Sequence, residues 1–486
     1  MPHSQASSSF GKTAAWLYHE SGIANLYATG RDAWLVILSR ACRMFAFGAA
    51  SLTIALFFSE LGFSDFRIGL FMSLTLLGDV VLGLVVTLMA DGLGRRRVLF
   101  AGGLLMAISG AVFSYFENFW ILLFAAVVGV VSASGSDFGP FRAIEESMLS
   151  HLTTPKTRAD VLSWYVVCSS LGSAAGTEAA GRFVEMLKHR KGWSMVQTYH
   201  ATFWIYLLMG AVNMVSTASM SRKCEAEKTA TEISDESAQG LLSDSEEEEG
   251  AATTPQQSPR KGRFSQISSS TRYVMYKLWF LLTIDSLADG MVSWTLTTYF
   301  LDRKFHLPKA RLGDYMSAAL IVGTITTVFA GPLSRHLGLL NTMVFTHLPS
   351  SLSVLFFPAP SGLVPTIILL FIRLGLNNMD QAPRAAFIAA VVKPEERTAV
   401  MGITSTLRTL AMATGPSFTG FLAGSERFWI AFVVGGALRV TYDLGLWAMF
   451  VNMKLHTHET NHDAVPGRQS IEEGSIELRR SAEHEA

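Results

Sequence analysis

Long apolar stretches recur along this chain at lengths close to the roughly 20 residues a helix needs to cross a bilayer. No other feature restricts its fold as strongly. The stretches fall near residues 33–58, 66–90, 98–115, 119–139, 160–187 and 202–220, then 275–300, 312–333, 337–357, 363–389, 401–423 and 428–451. In lipid, a segment such as Ile68 to Ala90 can satisfy its backbone N–H and C=O groups only as a helix. The composition agrees: 50% of the 486 residues are hydrophobic and 16% charged, with 32 Phe and 10 Trp, too apolar for a set of ordinary soluble domains. The expected fold is an all-α polytopic membrane protein of twelve transmembrane helices.

Several functional classes are excluded at this level. With 39 basic and 39 acidic residues the formal charge is zero, so nothing recommends nucleic acid as a partner. Cys42, Cys168 and Cys224 have neither a disulfide framework nor zinc-type spacing, and no metal or cofactor is expected. There is no phosphate-cradling glycine loop with its lysine and hydroxyl residue, which argues against direct ATP driving. No metal cluster or joined nucleophile and base points to an enzyme. Residues 1–32 lack the pattern of a cleaved secretory signal, so the first apolar helix is expected to act as its own insertion signal.

The chain divides into a cytosolic amino-terminal segment (1–32), a first six-helix bundle (33–220), a flexible cytosolic linker (221–274), a second six-helix bundle (275–451) and a cytosolic tail (452–486). The linker carries Ser243, Ser245 and the acidic run Glu246 to Glu249, a composition that cannot bury enough apolar area to become ordered. It reads either as a solvated tether or as the target of a regulatory kinase. Arg95, Arg96, Arg97, Lys156, Arg158, Lys393 and Arg397 all fall in even-numbered loops. They favour cytosolic termini, although Lys188, Arg190, Lys191, Arg303, Lys304, Lys309 and Arg311 load the opposite face. The plasma membrane is the expected location, with the vacuolar membrane as the alternative.

An internal repeat supports the six-plus-six division and makes the two bundles pseudo-symmetric. Pro155 to Gly176 aligns without a gap to Pro394 to Gly415, and Gly139-Pro140-Phe141-Arg142-Ala143 has a looser counterpart in Ala382-Pro383-Arg384-Ala385. Between the second and third spans lies Asp91-Gly92-Leu93-Gly94-Arg95-Arg96-Arg97. Its glycines permit a tight reversal, and Asp91 is placed to accept hydrogen bonds from a helix end or to pair across a bundle interface. This segment resembles the signature of the major facilitator superfamily at Asp91, Gly94, Arg95 and Arg96, with departures at Thr87 and Gly92, and Gly331 to Gly338 carries an eroded second copy. The resemblance extends over residues 33 to 451. It implies a secondary transporter that moves a small polar or organic solute by alternating access, with a cavity between the halves. Export of amphipathic compounds is the alternative within that class, and a non-transporting receptor or scaffold lies outside it.

Ionisable side chains inside the spans are costly unless they face a pore or a partner. Arg43, Asp79, Glu178, Asp285, Asp289, Arg373, Asp380 and Arg408 are therefore the candidates for contact with solute or protons. Asp285 and Asp289 are four residues apart on one helical face, where mutual repulsion suits proton coupling and pairing with basic groups is the structural alternative. Arg43, Arg373 and Arg408 either collect an anionic group or pair internally. Candidate gating residues are Asp91, Gly94, Arg95 and Arg96, with Arg142 and Glu146 at i,i+4 spacing, repeated by Asp380 and Arg384. The aromatic residues Trp164, Tyr165, Trp279, Trp294 and Tyr299 read as core, lipid-facing or interface anchors before they read as cargo contacts. Membrane lipids, a small solute and protons are the expected partners.

Overall fold

The computed structural model describes residues 23–131, 140–154, 157–190, 192–225, 269–392 and 396–451. The linker serines and acidic run, and the amino- and carboxy-terminal segments, lie outside these residues, as do the side chains of Asp91 and Arg397. The described residues form helices: α1 (Ile23–Thr29), α2 (Arg31–Glu60), α3 (Asp65–Leu93), α4 (Arg95–Tyr115), α5 (Phe119–Val128), α6 (Pro140–Leu152), α7 (Arg158–Lys188) and α8 (Met195–Ala218). After the linker come α9 (Ser269–Met291), α10 (Trp294–Phe305), α11 (Lys309–Thr327), α12 (Ala330–Leu337), α13 (Leu339–Phe356), α14 (Leu363–Asn377), α15 (Gln381–Val391), α16 (Arg397–Gly424) and α17 (Phe428–Phe450).

Among the described residues, seven helical spans are long and apolar enough to cross a bilayer, or eight if α11 and α12, bent by 46°, count as one. Fully apolar side chains such as Phe124 (71% exposed) and Phe280 (62%) stand on the outer surface, as a lipid-facing wall requires. The chain is an all-α polytopic membrane protein.

Boundaries depart from the sequence expectation where a helix breaks. The seventh apolar stretch is split into α9 and α10 at Val292 and Ser293, and the tenth into α14 and α15 at Asn378 to Asp380. A break frees backbone carbonyls, which need donors inside a membrane. The Val292 carbonyl accepts hydrogen bonds from Arg373 Nη2 and, at 3.1 Å, from Thr297 Oγ1. The charged loop after the second span shrinks to one residue, because α3 stays helical through Leu93 and Gly94, at φ 91°, makes the turn into α4. Gly338, at φ 83°, does the same between α12 and α13, so both signature-like segments turn on a glycine in the left-handed region. The sixth span begins at Met195 rather than near 202, opened by a capping box of Ser194 and Gln197.

The repeat extends to the packing. α2 lies along α7 and α9 along α16, and each pair touches through glycines. A Cβ on Gly48 would strike the Ser173 carbonyl, and one on Gly290 the equivalent Met412 carbonyl. Further pairs are α4 with α8 and α13 with α17. The segments before and after the linker meet where α3 packs on α16 and α7 on α11.

Candidate functional site

The first half buries a compact charge cluster between α2, α6 and α7. Arg43 hydrogen-bonds to Glu145 Oε1, and its guanidinium lies 5.0 Å from the centroid of the Phe141 ring. Tyr165 donates to Glu145 Oε2 at 2.8 Å. Arg40 lies 3.9 Å from Glu145 Oε2 and donates to Ser169 Oγ at 3.1 Å. Glu145 is fully buried, so this carboxylate is held by two cations and a phenol.

The second half buries a larger cluster. Asp285, fully buried, lies 3.5 Å from Arg384 Nη1 and 3.8 Å from His347 Nε2, and neither of its oxygens has a hydrogen-bond partner among the described residues. Arg384 also binds Asp380, its i,i+4 neighbour. Asp289 accepts from Arg439 Nη1 at 2.8 Å, and Arg439 Nη2 reaches His347 Nε2 at 2.7 Å and Asn377 Oδ1. His347 Nδ1 lies 2.7 Å from Asp443 Oδ1, and Ser351 donates to Asp443 Oδ2 at 2.6 Å. Arg408 donates to Ser286 Oγ at 3.1 Å.

The two clusters are built on comparable helices of the repeat, with opposite charges on the helices that carry Gly48 and Gly290. Arg43 and Asp285 each precede by five residues the glycine that packs on the partner helix, Gly48 or Gly290. Each pairs with a residue of a short helix that has a proline in its first turn, Glu145 on α6 or Arg384 on α15, although the alignment sets Arg384 against Arg142 and not Glu145. Arg43, Arg373 and Arg408 each have a partner of their own in this structure, at Glu145, the α9–α10 break and Ser286 respectively. Asp285 and Asp289 share a face, as their spacing requires, but turn to different cations.

A third group of contacts joins the halves, all near the end of the molecule that carries Glu60. Asp65 on α3 accepts from Tyr299 Oη at 2.7 Å and from Arg303 Nη1 at 2.7 Å on α10. Arg182 on α7 binds Glu178 and reaches Asp314 Oδ1 on α11 at 3.0 Å. Glu185 accepts from the Lys309 amide at 2.8 Å. Ser73 and Ser417 hydroxyls lie 2.8 Å apart. Glu178 thus belongs to the seam between α7 and α11 and not to either buried cluster.

The remaining candidates lie elsewhere. Asp79 is buried on α3, and its Oδ1 has no hydrogen-bond partner among the described residues. At the signature segment, the Arg95 and Arg96 amides donate to Glu225 at 2.7 and 3.3 Å. The carboxylate at this helix start therefore comes from the chain just after α8. Ser221 beside it is tied to Asp32, so residues 221–225, expected to be linker, are fastened to the first half. Arg142 and Glu146 pair at 2.7 Å on an exposed surface, whereas Asp380 and Arg384, at the same spacing, are buried.

Sequence reasoning missed Arg40, His347, Arg439 and Asp443 as site residues. The signal was available: all four lie inside expected spans, and Arg439 and Asp443 have the i,i+4 spacing that singled out Asp285 and Asp289.

The model of the Major Facilitator Superfamily matches residues 36–272 and 278–482. The chain is 31% identical over 428 residues to the uncharacterized membrane protein YJR124C of Saccharomyces cerevisiae, covering 87% of this chain and 95% of that protein. Among solved structures it resembles the nucleoside transporter NupG, with a TM-score of 0.65 at 13% identity over 87% of this chain and 100% of that one. It also resembles a D-xylose-proton symporter, with a TM-score of 0.63 at 11% identity over 85% and 97%. A bacterial homolog of the human lysosomal transporter Spinster gives 0.62 at 13% identity over 86% and 95%. The chain belongs to the major facilitator superfamily, as a multi-pass secondary transporter of a small solute that works by alternating access and is not an enzyme.

Proposed function

We propose that this transporter is proton-coupled through the buried charge cluster of its second half, within a frame of twelve spans in two six-helix bundles. In that frame α5 with α6, α9 with α10, α11 with α12, and α14 with α15 each make one broken span. Cytosolic termini put the Glu60 end on the far side of the membrane, so the contacts among Asp65, Tyr299 and Arg303 and between Arg182 and Asp314 close the outer face. The protein then stands closed to the outside, and solute enters or leaves from the cytosol in this state.

The observation that carries the coupling reading is Asp285, a fully buried carboxylate with ion-pair neighbours on two sides and, among the described residues, no hydrogen bond to either oxygen. A satisfied structural ion pair would hydrogen-bond those oxygens. An under-satisfied buried carboxylate calls for an explanation, and a change of partners during the transport cycle supplies one here. Asp289, with a side chain 25% exposed and held by Arg439, is the member a polar solute can reach. The plasma membrane is the location we assign, with the vacuolar membrane as the alternative. The linker serines are the place for a regulatory kinase.

Uptake of an isotopically labelled metabolite mixture by sealed proteoliposomes, with and without an imposed pH gradient, tests the coupling. The expected result is gradient-dependent accumulation of one solute, abolished in Asp289→Asn. Uptake that stops at equilibrium under every gradient rejects proton coupling.

A further inference from the structure

His347, on α13, is buried with both ring nitrogens engaged, and the polarity of its contacts fixes its state. A guanidinium nitrogen only donates. The Nε2 atom that lies 2.7 Å from Arg439 Nη2 must therefore present its lone pair. The proton of the ring then sits on Nδ1 and is donated to Asp443 Oδ1 at 2.7 Å. Ser351 donates to the other oxygen of Asp443 at 2.6 Å, which leaves that carboxylate an acceptor on both sides. In this arrangement His347 is a neutral imidazole, and Asp285 Oδ1 lies 3.8 Å from Nε2 with no hydrogen bond among the described residues.

Resting on the proton-coupled reading above, we propose that His347 Nε2 is where the coupled proton binds, in competition with the guanidinium of Arg439. One lone pair cannot accept both. When a proton arrives, Nε2 becomes a donor, repels Arg439 Nη2, and finds its acceptor in Asp285. Arg439 is the same group that holds Asp289 through Nη1 at 2.8 Å and Asn377 through Nη2. Displacing it loosens Asp289, the most exposed carboxylate of the cluster. Proton binding at a buried nitrogen is thereby converted into release of a carboxylate toward the solute, with no group crossing the bilayer.

The other charges around the ring fit this exchange. On α15, Arg384 stays with Asp380 and with Asp285, so Asp285 keeps one cation while gaining a second donor. On α16, Arg408 is anchored to Ser286, and on α14, Arg373 is anchored to Thr297 and the Val292 carbonyl. Neither is held by the ring. On α17, Tyr442 packs edge-on against His347 at 5.6 Å between centroids and leaves both nitrogens to their polar partners.

Full-length protein carrying 15N-labelled histidine, in lipid nanodiscs, tests the proposal by imidazole nitrogen spectra over about pH 5 to 8, the range in which histidine titrates. Ser351→Ala assigns the His347 signal, since that hydroxyl lies 3.3 Å from Nδ1. The wild-type ring is expected to be neutral with its proton on Nδ1 near pH 8. Arg439→Gln is expected to show the doubly protonated ring at a pH where the wild type does not, about a tenfold or greater gain in proton occupancy. Arg408→Gln is expected to leave the ring unchanged. A wild-type ring protonated on Nε2 at pH 8, or an Arg439→Gln ring identical to wild type, overturns the proposal. The wild-type spectrum decides the first point even if Arg439→Gln does not fold. Failure of the coupling reading is seen separately, as wild-type uptake that ignores the pH gradient.

Discussion

Glu145 is surrounded by Arg40, Arg43 and Tyr165 and has no exposed surface. Removing one partner from a buried ion pair leaves an uncompensated charge, at a cost of about 3–5 kcal/mol, whereas replacing both by apolar groups is often neutral. Glu145→Leu is therefore expected to lower thermal stability in detergent far more than the triple variant Arg40→Met/Arg43→Met/Glu145→Leu, in which no buried cation is left without its carboxylate; equal losses would show that these ion pairs are not what holds α2 to α6. Cys224 gives a second residue-scale prediction. Burial, helped by Asp32, pushes its thiol up to about 12, and the thiolate is the reactive form. Maleimide is expected to modify Cys224 near neutral pH only after denaturation, read by peptide mapping because Cys42 and Cys168 are half-buried; modification of Cys224 itself in the folded protein would contradict its placement. At this scale the sequence was legible where a charge interrupts an apolar run, as at Arg43, Asp285 and Asp289. It was silent on partners, because Glu145 meets Arg43 across 102 positions and His347 meets Asp443 across 96. No local pattern encodes either meeting.

Helices pack closely where side chains vanish. Gly48 on Ser173 and Gly290 on Met412 bring backbones together at equivalent places in the repeat. Overpacking a tight contact costs about 1–3 kcal/mol or more, and here the obstacle is backbone. Gly290→Val is expected to prevent α9 from seating on α16, read as loss of the monodisperse peak on size exclusion; a folded, active Gly290→Val protein would refute the packing. The apolar runs foretold most helices because span length and backbone satisfaction leave few choices. Breaks at Val292 and after Asn377 escaped notice because hydropathy runs through them. What marks them is a distant donor, such as Arg373 at the Val292 carbonyl, and no window of sequence contains it. Gly94 was legible as part of a turn, although the turn after α3 proved to be one residue long, whereas Gly338 was marked only as the end of the eroded second copy.

The halves meet at the Glu60 end through Asp65, Arg182 and Ser73 and their partners on α10, α11 and α16. A transporter that alternates must break these contacts. Cysteines at Ser73 and Ser417, whose hydroxyls are 2.8 Å apart, are expected to form a disulfide on mild oxidation, to stop transport, and to restore it on reduction. Transport by the cross-linked protein would mean that this end does not open. Asp285→Asn in proteoliposomes, with the solute that wild-type uptake identifies, shows whether the second-half cluster couples solute movement to protons. This variant is expected still to exchange labelled for unlabelled solute across the membrane but no longer to accumulate it under a pH gradient. Accumulation by Asp285→Asn at the wild-type level would contradict that coupling.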